Sequence, residues 1–172
     1  MPDIAVIGGG PVGSWTAFRL AKMGHRVTVL EKRPGIGEKH CCTGIISQEC
    51  AAKYDISPHL IFRQVNSARI ISPSGLSLGV KRPETQACIV NRQAFDRALA
   101  VKAQSQGVEY LLNTGAEDIS FKPNGIQIKV EVQGKVGYLS AQAAVLATGF
   151  NAPLIKRLGF GQPDYLVAGV QA

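Results

Sequence analysis

Glycines at positions 8, 10 and 13 separate an apolar run, Asp3 to Ile7, from a stretch with helical periodicity, Pro11 to Met23. Glycine loses more backbone freedom on folding than any other residue, so such a cluster needs a local reason. The spacing supplies one. Gly8 makes the tight turn out of a strand, Gly10 lets the main chain approach a pyrophosphate, and Gly13 lets the helix pack closely. Pro11 gives up an N–H that has no intrahelical partner anyway, and the free N–H groups behind it, from Val12 onward, join the helix dipole in favouring an anion. About 18 residues past Gly13 stands Glu31, with Lys32 beside it. A carboxylate there accepts hydrogen bonds from ribose hydroxyls and repels a 2′-phosphate, which favours FAD or NAD over NADP.

The elements that must position these groups follow from hydrophobic periodicity. Strands are expected at Asp3 to Ile7 and Arg26 to Leu30, with the helix between them, as a β-α-β unit with parallel strands. Residues 32–44 read as a loop, and Ser47 as the cap of a short helix through Tyr54. The pieces ARIIS, LSLGV and ACIV between Ala68 and Val90 read as antiparallel strands. Asn91 is the expected N-cap of a helix from Arg92 to Gln106, which Gly107 stops. Val108 to Leu112 is then a third parallel strand. Ala116–Phe121, Gly125–Val132 and Lys135–Ser140 form a meander, with apolar alternation at Ile126, Ile128, Val130 and Val132. Ala143 to Ala147 rejoins the parallel sheet, and Tyr165 to Ala172 reads as the start of another strand.

Composition narrows the classes. The 172 residues are 45% hydrophobic and 18% charged, in the globular range. Lys and Arg outnumber Asp and Glu by 19 to 12, yet the basic residues fall in scattered pairs with no aromatic-studded basic element, so no nucleic-acid partner is expected. The excess suits an anionic cofactor or peripheral contact with an acidic membrane surface. The four cysteines are too few and too irregular for a disulfide scaffold, and a reducing, cytoplasmic setting is the default. His40, Cys41, Cys42 and Cys50 lack metal-ligand spacing, so no metal is expected. Cys42 reads as a plain buried thiol and Asp96 as a surface charge.

Past the first β-α-β unit, an excursion and a meander precede a strand ending Ala147-Thr148-Gly149. That arrangement resembles FAD-binding domains of the glutathione reductase and hydroxylase type, which makes FAD the favoured ligand. A closer resemblance is to the geranylgeranyl reductase family of flavoproteins. It is carried by "VIGGGPVGSWTAFRLAKMGHRVTVLEKR", by "CTGIIS" where that family has Cys-Ala-Gly, by "VNRQAFDRALAVKAQSQGVEYL" and by "AAVLATGFNAPLIKRLGF". The resemblance implies an α/β fold: a Rossmann-like FAD-binding domain with a parallel sheet, inserted antiparallel strands and a three-stranded β-meander. That domain would span 1–172, and the strands of about 66–90 would open a substrate-side sheet.

The same resemblance implies that Arg92 contacts the cofactor and that Cys42, Thr43 and Gly44 lie beside the flavin ring. It further implies that Ala116 offers backbone groups to the adenine and that Thr148 and Gly149 close the cofactor site. The implied activity is hydride transfer from reduced flavin to a carbon–carbon double bond of an isoprenoid or other small apolar substrate. The external electron donor, NAD(P)H or ferredoxin-like, is left open. Family members continue into a Gly-Asp segment and a lipid-holding sheet domain, both expected outside this chain. Two other readings stand beside this one: an FAD-dependent monooxygenase of the aromatic hydroxylase type, and a truncated, non-catalytic dinucleotide-binding module. No residue is singled out as a proton donor.

Overall fold

The computed structural model describes residues 1–38, 42–149, 152–161, 164, 165 and 167–169. Two compact units are present, Met1–Lys39 with Asp96–Val170, and His40–Phe95 with Gln171–Ala172.

The first unit opens with β1 (Ile4–Ile7), α1 (Pro11–Lys22) and β2 (Val27–Leu30). All four residues of β2 are buried, as expected of a strand covered on both faces. Gly24, with φ +93°, ends the helical stretch in a left-handed turn. After α3 (Arg92–Gln104), which begins in the second unit, the chain forms β8 (Glu109–Leu111), β9 (Thr114–Lys122), β10 (Gly125–Val132), β11 (Lys135–Ala141), β12 (Ala143–Leu146) and α4 (Ala152–Arg157). The parallel sheet has the order β12-β1-β2-β8, with Ile7 opposite both Leu146 and Leu30. The meander is a separate antiparallel sheet, β11-β10-β9.

Pleat alternation divides the core. Ala5 and Ile7 of β1 face Ile126, Ile128 and Val130 of the meander, and Leu154 of α4 joins them. Val6 faces the other way, clustering with Val27, Val29, Ala17 of α1, Ala103 of α3 and Val108. The first unit is thus a three-layer stack of meander, parallel sheet and helices.

In the second unit, β3 (Ile45–Ser47) leads into α2 (Gln48–Lys53), where the Ser47 hydroxyl accepts from the Cys50 N–H at 3.0 Å, as the sequence predicts. A 3₁₀ turn (Pro58–Leu60) precedes β4 (Ile61–Val65), β5 (Ser67–Ile71), β6 (Ser77–Lys81) and β7 (Ala87–Val90). The three expected strands do not share a sheet. β5 and β6 pair as a two-stranded ribbon, while β7 is the centre of β3-β7-β4, burying Cys88 and Val90.

Three expectations are corrected. Asp96 is fully buried rather than a surface charge, because its position on α3 falls on the inward face with Ala100 and Ala103. Cys42 is exposed, in a segment without regular structure. No strand forms among the described residues from Tyr165 onward. Tyr165 is 91% and Val167 96% exposed, with no described strand to pair with, and Leu166, Val170, Gln171 and Ala172 lie outside the described residues. His40 and Cys41 lie outside them too.

Candidate functional site

The glycines between β1 and α1 divide the work by geometry. Gly8 has φ +111°, a backbone that side chains rarely adopt, and a Cβ there would run into the Ala147 carbonyl just past β12. Gly13 is helical, yet a Cβ on it would strike the Gly8 carbonyl oxygen, so its lack of a side chain lets α1 start tight against the loop. Gly10 differs from both. A Cβ there meets nothing within 4 Å, leaving an open face at the start of the helix. Pro11 takes the first helical position, and the first turn of α1 itself holds no acidic residue. Val12 is 70% exposed on that same turn.

Glu31, at the end of β2, braces this loop. Its Oε2 accepts from the Gly9 N–H at 2.8 Å, and its Oε1 accepts from the Arg33 N–H at 2.9 Å. A carboxylate oxygen has two lone pairs, so each retains capacity for a hydroxyl donor. Glu31, Gly8, Lys32, Thr114, Gly115, Ala116 and Thr148 line one cleft of about 70 Å³. β9 is an outer strand of its sheet, and the Thr114 N–H donates to the Glu31 carbonyl at 2.8 Å, which ties the start of β9 to the end of β2 beside the cleft. Ala116 pairs with Val130 while Asp118 pairs with Lys129, so Glu117 is bulged out between them. Arg157 of α4 donates to the Glu117 carbonyl at 3.0 Å, and Lys129 pairs with the Glu117 carboxylate at 2.7 Å, which pins the bulge next to Ala116.

The structure therefore brings together Gly8, Glu31, Lys32, Ala116 and Thr148, with Gly10, Pro11, Val12 and Gly13 on the adjoining turn. Gly149, at φ +60°, follows Thr148 and is exposed. Cys42, Thr43, Gly44 and Arg92 belong to the second unit. There Gly44, at φ +70°, exchanges close main-chain contact with Val90 of β7, and its N–H lies 3.5 Å from the Cys42 sulfur. Among the described residues, no group of three or more His, Cys, Asp or Glu is placed to hold a metal.

Sequence reasoning missed Thr114 and Gly115, although a glycine at a strand start is a signal of close backbone approach. It also passed over Ser14, which is fully buried beneath the loop.

An acidic side chain beside bare amides is an arrangement able to take a sugar hydroxyl and an anion together. Residues 3–78 match the family model DAO, FAD dependent oxidoreductase. The digeranylgeranylglycerophospholipid reductase of Methanothrix thermoacetophila is 32% identical over 162 residues, covering 91% of this chain and 41% of that protein. The reductase of the same name from Methanoculleus marisnigri is 29% identical over equal shares. The crystal structure of a geranylgeranyl bacteriochlorophyll reductase-like protein from Thermoplasma acidophilum superposes with a TM-score of 0.80 at 26% identity, over 92% of this chain and 42% of that one. The chain thus spans about two fifths of the length of the relatives it matches. It is related to the FAD-dependent oxidoreductases, and to the geranylgeranyl reductases among them, with FAD as the cofactor.

Proposed function

We propose that residues 1–172 form the FAD-binding part of a reductase that saturates carbon–carbon double bonds of an isoprenoid lipid. The observation that carries this reading is the open amide face at Gly10 beside the Glu31 carboxylate, in a chain similar over 91% of its length to digeranylgeranylglycerophospholipid reductases.

The residues present fit the adenosine diphosphate half of the cofactor. Gly10, Val12 and Gly13 offer main-chain N–H groups to the pyrophosphate, with Gly8 and Pro11 shaping the turn that presents them. Glu31 holds the ribose hydroxyls, Lys32 adds a cation at the cleft edge, and Ala116 meets the adenine through its peptide groups. Thr148 and Gly149 close the opposite side. In the second unit, the motifs of Arg92 and of Cys42-Thr43-Gly44 assign them to cofactor binding as well, the guanidinium as a pyrophosphate partner. When bound, the flavin supplies hydride for double-bond reduction. The electron donor is external, and a peripheral membrane contact would give access to a lipid substrate. No described helix is long and apolar enough to cross a membrane.

The test is to purify the chain, titrate it with FAD and follow flavin fluorescence, with ADP as competitor. Saturable binding that ADP displaces and that Glu31→Ala weakens supports the reading; absence of binding to both ligands overturns it. For the lipid, hydrogen uptake by a geranylgeranyl chain in the presence of reduced flavin and the protein is the expected result.

A further inference from the structure

The loop's main chain is gripped from beneath by two hydroxyl groups. Ser14, on the first turn of α1, donates from Oγ to the Gly9 carbonyl at 3.1 Å, and the Tyr110 hydroxyl of β8 donates to Ser14 Oγ at 2.9 Å. Ser14 and Gly9 are buried and Tyr110 is half-buried, so both bonds run where water does not compete. Burial pushes the Tyr110 phenol above its ordinary pKa, so it remains a donor throughout the neutral range.

The consequence follows from peptide planarity. The Gly9 carbonyl and the Gly10 N–H belong to one trans peptide and point in opposite directions. A bond that holds the carbonyl toward Ser14 therefore turns the Gly10 N–H the opposite way, outward from the helix, at a residue whose Cβ position is open. The Gly9 N–H, on the preceding peptide, is held by Glu31. Because Pro11 has no N–H, Gly10 and Val12 are the first two donors of the helix start, and the aim of the Gly10 amide counts for more than it would beside an ordinary residue.

We propose that Ser14 and Tyr110 form a buried hydroxyl relay that positions the Gly9–Gly10 peptide for the cofactor's pyrophosphate. Tyr110 is a positioning residue, 100 positions from the amide it aims. The cofactor half of this proposal rests on the FAD reading above; the relay itself does not.

The test uses Tyr110→Phe, which removes one hydroxyl and keeps the ring, Ser14→Ala, and the double variant. In the ligand-free chain, Tyr110→Phe should shift the Gly10 amide resonance and should do so less in the Ser14→Ala background, since the signal passes through Ser14. An unmoved resonance overturns the relay whether or not FAD binds. In the FAD titration, Tyr110→Phe should weaken affinity about fivefold, the net worth of one hydrogen bond, and should add nothing once Ser14 is alanine. Equal affinities, or independent and additive losses, overturn the relay while leaving the FAD reading intact. A wild-type chain that binds neither FAD nor ADP overturns the FAD reading, and the relay is then decided by the Gly10 resonance alone. Ser14→Ala provides the same readout should the tyrosine variant fail to fold.

Discussion

Gly13→Ala and Gly10→Ala have opposite expected effects, which makes the pair a strong test of how the loop is built. In a helix, alanine is favoured over glycine by about 1 kcal/mol, so propensity alone predicts that Gly13→Ala stabilises. The structure predicts the reverse. A Cβ on Gly13 would lie 3.0 Å from the Gly8 carbonyl carbon, 3.3 Å from the Ala147 Cβ, and closer still to the Gly8 oxygen. The obstacle is a Cβ against main chain, which no rotamer relieves, so the cost falls at the upper end of the overpacking range, about 3 kcal/mol. Net of propensity, about 2 kcal/mol is lost, a fall in Tm of about 4–8 °C for a chain of this size. Gly10→Ala has room around it and a φ of −71° that alanine accepts. It should cost at most about 1 kcal/mol through the weaker N-cap, or no more than about 4 °C. Its methyl fills the open face, so FAD or ADP affinity should drop by about tenfold or more, worth about 1.4 kcal/mol. Thermal melts by circular dichroism and a fluorescence titration measure both quantities. A Gly13→Ala chain that melts at or above wild type, or a Gly10→Ala chain with unchanged affinity, would refute the geometry argued here.

Two further outcomes follow from contacts outside the loop. The Arg26 side chain hydrogen-bonds Asp3 at 2.7 Å and holds its carboxyl at about 2, below the ordinary 3.8. A depressed carboxyl pKa contributes stability above its unfolded value and loses it as pH falls toward the folded one. Tm should therefore decline between pH of about 4 and about 2, and Asp3→Asn should flatten that part of the curve. Asn91 Oδ1 accepts from the Ala94 N–H at 3.1 Å, so Asn91→Ala should cost about 1 kcal/mol, read as a Tm drop of about 2–4 °C.

What the sequence revealed was local. The glycine spacing, the apolar runs of β1 and β2, and the alternation of Ile126, Ile128 and Val130 each report a periodicity or a turn within a dozen residues, and the caps Ser47 and Asn91 lie within three residues of the N–H groups they serve. What stayed hidden depends on distant partners. The link from Tyr110 to Ser14 spans 96 positions, and Glu31 grips Gly9 from 22 positions away. β4 has three consecutive exposed residues between half-buried ends, so it shows no alternation to read, and only its partner β7 makes it a strand. The six residues of α4 are too few for a helical stripe, although Leu154 is 2% exposed within the core. Asp96 was misread because charge is a stronger cue than helical phase.

The placement of β1 between β2 and β12 also governs how the molecule comes off the ribosome. Ile7 waits about 140 positions for Leu146, roughly 7 to 30 seconds at ~5–20 residues per second. Through that interval one edge of the central strand is bare, and the wall that Ala147 gives to the Gly8 turn has not been synthesised. Until β12 arrives that edge is open to pairing with other chains, and the corner between Gly8 and Ala147 is among the last parts of the first unit to take shape.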